Sequence, residues 1–306
     1  MKSNRVEYGD TLVELAAERP ELVVLDADVA KSTGTIQFKA AYPDRFVNVG
    51  IAEQNMIGMA AGLATCGKLP FLATFGVFSS MRAVEQLRNA VCYPNLNVKV
   101  AGTHSGLETG EDGATHQSVE DISIIRSIPN IRLFVPASPI ATHYLTRLAA
   151  EIEGPVYLRF GKADAVELYD ADEKFPLGGS KQLAEGTDAT ILAIGNMVEV
   201  ALDAAKLLAE EGIKVRVLDM YSLKPFDEQA VMKAAKETKA LVTLEDHSII
   251  GGLGGLVSET IAGKVCVPLV KLGVKDVFGR SGTKSELFEL FGFTPKAVAE
   301  AVRSLQ

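Results

Sequence analysis

The chain has 306 residues, about twice a usual domain length, and its 47% apolar and 23% charged composition suits a globular protein of two domains rather than a disordered or fibrous one. A net charge of -8 without any long Lys/Arg run argues against nucleic acid, which needs a basic face to neutralise phosphates, although a few local cations in a cleft still suit small anionic substrates. Cys66, Cys92 and Cys266 stand alone with no CxxC spacing, which excludes a disulfide framework or zinc knuckle and points to a reducing compartment.

The first residues, MKSNRVEYGDTLVELAAERP, are polar and then amphipathic, with no apolar signal-peptide stretch, and no run reaches the roughly 18 apolar residues of a membrane helix. A cytoplasmic protein without a membrane partner is expected. Continuous β-branched runs follow at Leu22 to Asp26, Phe46 to Val49, Leu69 to Thr74, Asn97 to Ala101, Ile131 to Val135 and Val156 to Phe160. Such runs predict parallel strands covered on both faces. Helical patterns around 53–66, 80–92, 118–126 and 139–152 lie between them, giving a βαβ rhythm.

From about Lys162 to Asp188 the pattern breaks into charged and Gly/Pro-containing sequence, which reads as a linker. A second series predicts strands near 189–194, 213–218, 240–244 and 267–272, with helices near 198–211, 228–236, 254–263 and 295–304. The predicted fold class is α/β: two tandem domains with mostly parallel sheets, over 1–165 and 188–306, joined by a linker over 166–187.

Ligands of open α/β sheets bind beyond the carboxyl ends of the strands, so the segments after strands matter most. The first, Asn48 to Asn55, leaves a strand and opens a helix with Glu53 and Gln54 at its start. A carboxylate there is ordinarily a helix-start acid favoured by the dipole. The helix that follows, MIGMAAGLATCG, is so rich in Gly and Ala that it suits close approach to another helix and burial of its amino end. A buried Glu53 is then placed for proton transfer. In the second segment Phe75, Phe78 and Met81 recur at three-residue spacing, either as a core stripe or as an apolar slot for an aromatic ring.

The third segment, Gly102 to Gln117, gathers glycines, acids, His104 and His116 in one loop after a strand. It buries almost nothing apolar, so packing does not explain it, and loops this polar are usually sites. A metal site of His104, Asp112 and His116 competes with a set of hydrogen-bonding groups facing a polyhydroxylated substrate. The ligands lie on a Gly-rich loop and not at i, i+4 on a helix, which favours the second.

Together the strings NVGIAEQNM, TFGVF and GTHSGLETGEDGATHQSVEDI resemble the pyrimidine-binding domain of the transketolases, and VKDVFGRSGTKSELFELFGFTPKAVAEAV resembles the family's C-terminal domain. GIAEQ is shared across the wider thiamine-diphosphate superfamily, whereas the His104 loop is particular to transketolase. The fold implied is a thiamine-diphosphate pyrimidine-binding domain followed by a transketolase C-terminal-like domain. No Gly-Asp-Gly motif of the family's diphosphate-binding domain is present. The resemblance therefore implies a partner subunit that holds the diphosphate and Mg2+, in an assembly of two copies of each chain.

By the same resemblance Glu53 is the catalytic carboxylate, bonded to a ring nitrogen of the aminopyrimidine, and Phe75, Phe78 and Met81 line the cofactor ring. Met81 stands where longer members carry tyrosine. Asp28 matches a cofactor-facing acid. His104, Asp112 and His116 match contacts to the sugar phosphate, with His116 close to the reacting carbons. Arg159 and Ser32 match phosphate contacts. The activity implied is transfer of a two-carbon ketol unit between ketose and aldose phosphates. The corresponding half of deoxyxylulose-phosphate synthase, a 2-oxoacid dehydrogenase β subunit, and a non-catalytic interaction subunit are the alternatives. Nothing in the second domain suggests chemistry, and His247, its one polar cluster, reads as structural.

Overall fold

A computed structural model describes residues 2–305. The chain begins with β1 (Lys2–Ser3) and α1 (Asn4–Glu18), then β2 (Leu22–Asp26), the short helices α2 (Ala30–Thr33) and α3 (Ile36–Ala41), and β3 (Phe46–Asn48). Next come α4 (Glu53–Thr65) and β4 (Leu69–Phe75). Where a single helix was expected over 80–92, the chain forms two π-helical segments, Phe78–Arg82 and Leu87–Cys92, around the short α5 (Val84–Gln86). Wide hydrogen bonds mark both: the Ala83 N–H donates to the Phe78 carbonyl at 3.0 Å, and the Tyr93 N–H to that of Arg88 at 2.9 Å. A π-turn fits an extra residue into a helix and re-aims its side chains, and such turns recur at functional sites.

The first half continues with β5 (Lys99–Thr103), a 3-10 segment (Leu107–Asp112), α6 (Asp121–Ser127), β6 (Arg132–Phe134), α7 (Pro139–Glu151), β7 (Val156–Arg159) and β8 (Asp164–Ala165). The second half comprises β9 (Lys181–Ala184), β10 (Ala189–Ala193), α8 (Met197–Glu210), β11 (Val215–Asp219), β12 (Ser222–Lys224), α9 (Glu228–Glu237), β13 (Leu241–Ser248), α10 (Leu253–Ile261), β14 (Leu269–Val274), α11 (Lys284–Phe291) and α12 (Pro295–Arg303). Helix starts follow the chemistry of the chain. Ser138, Asp227, Thr283 and Thr294 cap α7, α9, α11 and α12 with side-chain oxygens, and Thr283 with Glu286 makes a capping box.

One sheet has seven strands in the order β12-β6-β7-β5-β4-β2-β3, a second has five in the order β14-β13-β10-β11-β9, and β1 and β8 form a two-stranded ribbon. All pairings are parallel except those of β12 and β9 and the β1–β8 ribbon, so the expected mostly parallel α/β architecture is present. Every residue of β2, β5, β7, β10 and β11 is buried, the physical basis of their unbroken apolar runs. No helix among the described residues is long and apolar enough to cross a membrane.

Four strands lie where none was expected, the short pair β1 and β8 and two longer ones. β9 falls within the stretch read as linker; its sequence KQLA is too polar and short to be recognised, because an edge strand needs only one partner and partial cover. β12 comes from the second half yet pairs antiparallel with β6, extending the first sheet. One apolar cluster also joins Ile125, Ile128 and Leu133 of the first half to Met220, Leu223 and Val231 of the second. The two halves are interlocked rather than strung on a free tether.

The amino-terminal helix packs backbone to backbone against the turn after β2. A Cβ at Gly9 would lie 2.0 Å from the Gly34 carbonyl oxygen, and Gly34 itself, at φ +85°, would clash with Arg5 in the same way. Gly9→Ala should therefore lower stability by about 1–3 kcal/mol through forced overpacking, measured by urea unfolding; an unchanged midpoint would show that the contact yields freely.

Candidate active site

Parallel β2, β3, β4, β5 and β7 bring their carboxyl ends to one side of the first sheet, and Asp28, Glu53, Phe75 and His104 follow directly from those ends. Beneath the β2 turn, buried Asp26 accepts the Val29 N–H at 2.7 Å and the hydroxyls of Thr33 and Thr35 at 2.9 Å. That anchor fixes the turn carrying Asp28 and Ser32. Asp28 is exposed at φ +66° and accepts from Asn48 Nδ2 at 2.9 Å.

Four rings converge at the ends of β4 and β5. Phe75 stacks on His104 with centroids 4.0 Å apart, and lies nearly parallel to Phe78 at 5.7 Å and 12°. His116 meets Phe78 edge-on at 5.5 Å. Because His104 takes one face of Phe75, the two phenylalanines form a wall in this chain and not a closed slot. Met81 is half-buried on the same π-turn.

Glu53 opens α4 and is 3% exposed, as the Gly/Ala-rich helix suggested. Its carboxylate accepts from Arg82 Nη1 at 2.9 Å, and the same guanidinium lies 4.1 Å over the Phe78 ring. Arg82 thus joins the acid to the aromatic wall. Farther along α4, a Cβ at Gly58 or Gly62 would meet nothing within 4 Å, so the close helix approach is not made within this chain.

The polar loop is ordered by its own backbone. His104 sits at φ +55°, its carbonyl accepts from Thr109 Oγ1 at 2.6 Å, and its Nδ1 lies 3.0 Å from Thr103 Oγ1. Burial, with the positive charges of Arg5 and Lys162 nearby, pushes its pKa down to about 3, so the imidazole is neutral. His116 is half-buried with Nδ1 3.0 Å from Thr115 Oγ1. Asp112 is exposed and pairs with Lys162 at 3.1 Å. The metal alternative lacks a converging ligand set: among the described residues no group of three His, Cys, Asp or Glu is placed to hold an ion.

Three cations here escaped the sequence analysis. Arg5 Nε donates to the Lys162 carbonyl at 3.1 Å and its Nη1 to that of Ser32, while Lys162 Nζ also donates to the Thr109 carbonyl at 3.0 Å. Arg5 and Lys162 therefore join Ser32 to Asp112, while Arg82 sits on Glu53 and Phe78. Lys162 had a usable signal, since it closely follows a strand end, but the Gly/Pro break beginning there reads as linker. Arg5 had none, because only tertiary packing of α1 carries it to the site.

Arg159 requires a correction. Expected to face a phosphate, it is 4% exposed, and its Nε donates to Asp121 Oδ2 at 2.8 Å. Its Nη2 donates to the Asp246 carbonyl at 2.8 Å and the Ser118 carbonyl at 3.4 Å. Burial works against its charge, but Asp121 outweighs that and raises its pKa. A buried guanidinium must be paired, and this one is committed to the seam between the domains. His247 is fully buried there too, accepting the Ser123 N–H at 3.3 Å on Nε2 with Nδ1 2.7 Å from the Ser248 carbonyl.

Comparison with known proteins adds findings of three kinds: family matches, sequence relatives and a solved structure. Residues 2–166 match the family described as transketolase, pyrimidine binding domain, and residues 178–298 the family described as transketolase, C-terminal domain. A putative transketolase C-terminal section of Methanocaldococcus jannaschii is 47% identical over 304 residues, covering 98% of this chain and 95% of that protein. A 6-deoxy-6-sulfo-D-fructose transketolase subunit of Clostridium sp. is 41% identical, covering 98% and 94%. Among solved structures, one described as a split gene transketolase, inactive beta4 tetramer, superposes with a TM-score of 0.90 at 48% identity, covering 99% of this chain and 98% of that one.

The His104 environment yields a pH test. An unfolded chain takes up this proton near pH 6.5, while the folded chain resists until about 3, so stability from this group is full above 6.5 and is lost as pH falls across that window. Imidazole NMR should show His104 neutral at pH 5 in the folded chain, and His104→Asn should flatten the fall in stability. An imidazolium signal at pH 5 would refute the assignment.

Proposed function

Because this chain belongs to the transketolase family, as a pyrimidine-binding domain followed by the family's C-terminal domain, we propose that it is the C-terminal subunit of a two-chain transketolase. In that reading it transfers a two-carbon ketol unit between ketose and aldose phosphates with thiamine diphosphate, together with a separate diphosphate-binding subunit that holds the magnesium ion. The observation that carries it is the joined set of buried Glu53, the Phe75 and Phe78 wall, and the His104 and His116 rings beyond the carboxyl ends of the strands.

That set suits an aminopyrimidine: a flat apolar wall for the ring and a dry carboxylate for a ring nitrogen. Thiamine diphosphate supplies the electron sink for carbon–carbon cleavage, which no side chain offers. Glu53 holds and returns a proton at the ring nitrogen, and Asp28 and Met81 border the cofactor. Neutral His104 and half-buried His116 offer hydrogen bonds to substrate oxygens, Asp112 accepts from a hydroxyl, and Arg5 and Lys162, beside Ser32, attract the phosphate. They take the part first given to Arg159. The uncovered Gly58 and Gly62 face of α4 favours an assembly of two copies of each subunit, and a solved relative described as an inactive tetramer fits a subunit needing its other half. The free thiols of Cys66, Cys92 and Cys266 fit a cytoplasmic setting.

The test is ketol transfer from xylulose 5-phosphate to ribose 5-phosphate, with thiamine diphosphate and magnesium, by this chain alone and with its diphosphate-binding neighbour. Turnover is expected only in the mixture, and Glu53→Gln should reduce it by about 10²–10⁴-fold while the complex still assembles. Undiminished turnover in that variant would remove Glu53 from the mechanism, and transfer from pyruvate instead of a ketose would point to the synthase relatives.

A further inference from the structure

The loop from His104 to His116 buries little apolar surface, so polar bonds hold its shape. Beyond its own backbone bonds and Lys162, further holders come from the second domain. Asp246, at 1% exposure on β13, accepts the Leu107 N–H on Oδ1 at 2.9 Å and the Asn196 amide on Oδ2 at 3.2 Å. Gly106, at φ +76°, has room for that carboxylate only because it lacks a side chain: a Cβ there would stand 2.2 Å from Asp246 Oδ2. Farther along the loop, Lys284 pairs with buried Glu108 at 2.5 Å and Gln117 Nε2 donates to the Arg280 carbonyl at 2.8 Å.

We propose that Asp246 is a positioning residue for the substrate-binding loop, so that the second domain takes part in catalysis by setting where His104, Asp112 and His116 stand. The proposal rests on the functional reading above. A carboxylate accepting a buried backbone N–H makes a short, directional bond, and this one falls on Leu107, next to Gly106 at the start of the 3-10 segment that ends in Asp112. Burial raises the Asp246 pKa to about 6, with Arg159, the Leu107 N–H and Asn196 opposing the rise. Without the acceptor, the Leu107 N–H is left unpaired in a dry seam and the 3-10 segment is free to shift. A displacement of about 1 Å at a reacting group costs on the order of 10²-fold in rate.

The experiment uses the reconstituted two-chain enzyme with Asp246→Ala, Asp246→Asn and Asn196→Ala. Asp246→Ala should raise the KM for xylulose 5-phosphate about tenfold or more and leave the KM for thiamine diphosphate within about twofold. Asp246→Asn, which keeps an acceptor for Leu107, should recover much of the loss. Hydrogen exchange on this chain alone should speed up over 106–117 and stay unchanged in β10 and β13. Asn196→Ala, which frees Asp246 without touching the loop, should show the same pattern more weakly and serves if Asp246→Ala does not fold. An unchanged sugar KM with unchanged loop exchange overturns the proposal, as does faster exchange throughout the second domain at normal KM. If the wild-type pair transfers no ketol unit, the functional reading fails, while the exchange data still decide the role of Asp246 in shaping the loop.

Discussion

A buried guanidinium organises this molecule. Arg159 leaves the last parallel strand of the first sheet and ends between Asp121 of α6 and the carbonyl of Asp246 on β13. An arginine costs several kcal/mol to bury without partners, so the three elements are obliged to stay together. Asp121 supplies the opposite charge and Asp246 a backbone carbonyl, while the side chain of Asp246 is left to grip the Leu107 N–H. The same seam thus fixes the two domains against each other and sets the floor of the polar loop. The shared apolar cluster and the β12 pairing reinforce it without directing it, because neither is specific to one side-chain geometry.

The site above that seam divides between rigid and adjustable parts. The rings of Phe75, Phe78, His104 and His116 pack on one another, and Glu53 lies buried at a helix start. Arg82, Lys162 and Asp112 are at least partly exposed, Arg82 paired with Glu53 and Lys162 with Asp112. Exposed pairs exchange partners at little cost. A ligand that brings its own charge can therefore displace Lys162 from Asp112 at little cost, whereas buried Glu53 gives up Arg82 only to a group that replaces that partner.

Much of this was legible in the residues. Strands β2, β4, β7 and β10 show as unbroken apolar runs because both faces are covered, and the His104 loop shows because no packing need produces such a composition. What escaped detection depends on contacts distant in sequence. Arg5 reaches the site on the back of α1, and β12 is three residues long and finds its partner in another domain. The expected helix over 80–92 divides into π-turns, since nothing in local propensity distinguishes a wide turn from a normal one. Arg159 was misplaced for a related reason: an arginine at a strand end looks the same in sequence whether it meets a ligand or a buried aspartate.

The β12 pairing also bears on the order of synthesis. A ribosome delivers β6 long before Ser222–Lys224 exist, so the nascent first sheet spends that interval with a bare edge and with Arg159 still lacking its carbonyl partner on β13. Bare edges attract other strands. The first sheet therefore closes this edge only after the chain of the second half has emerged.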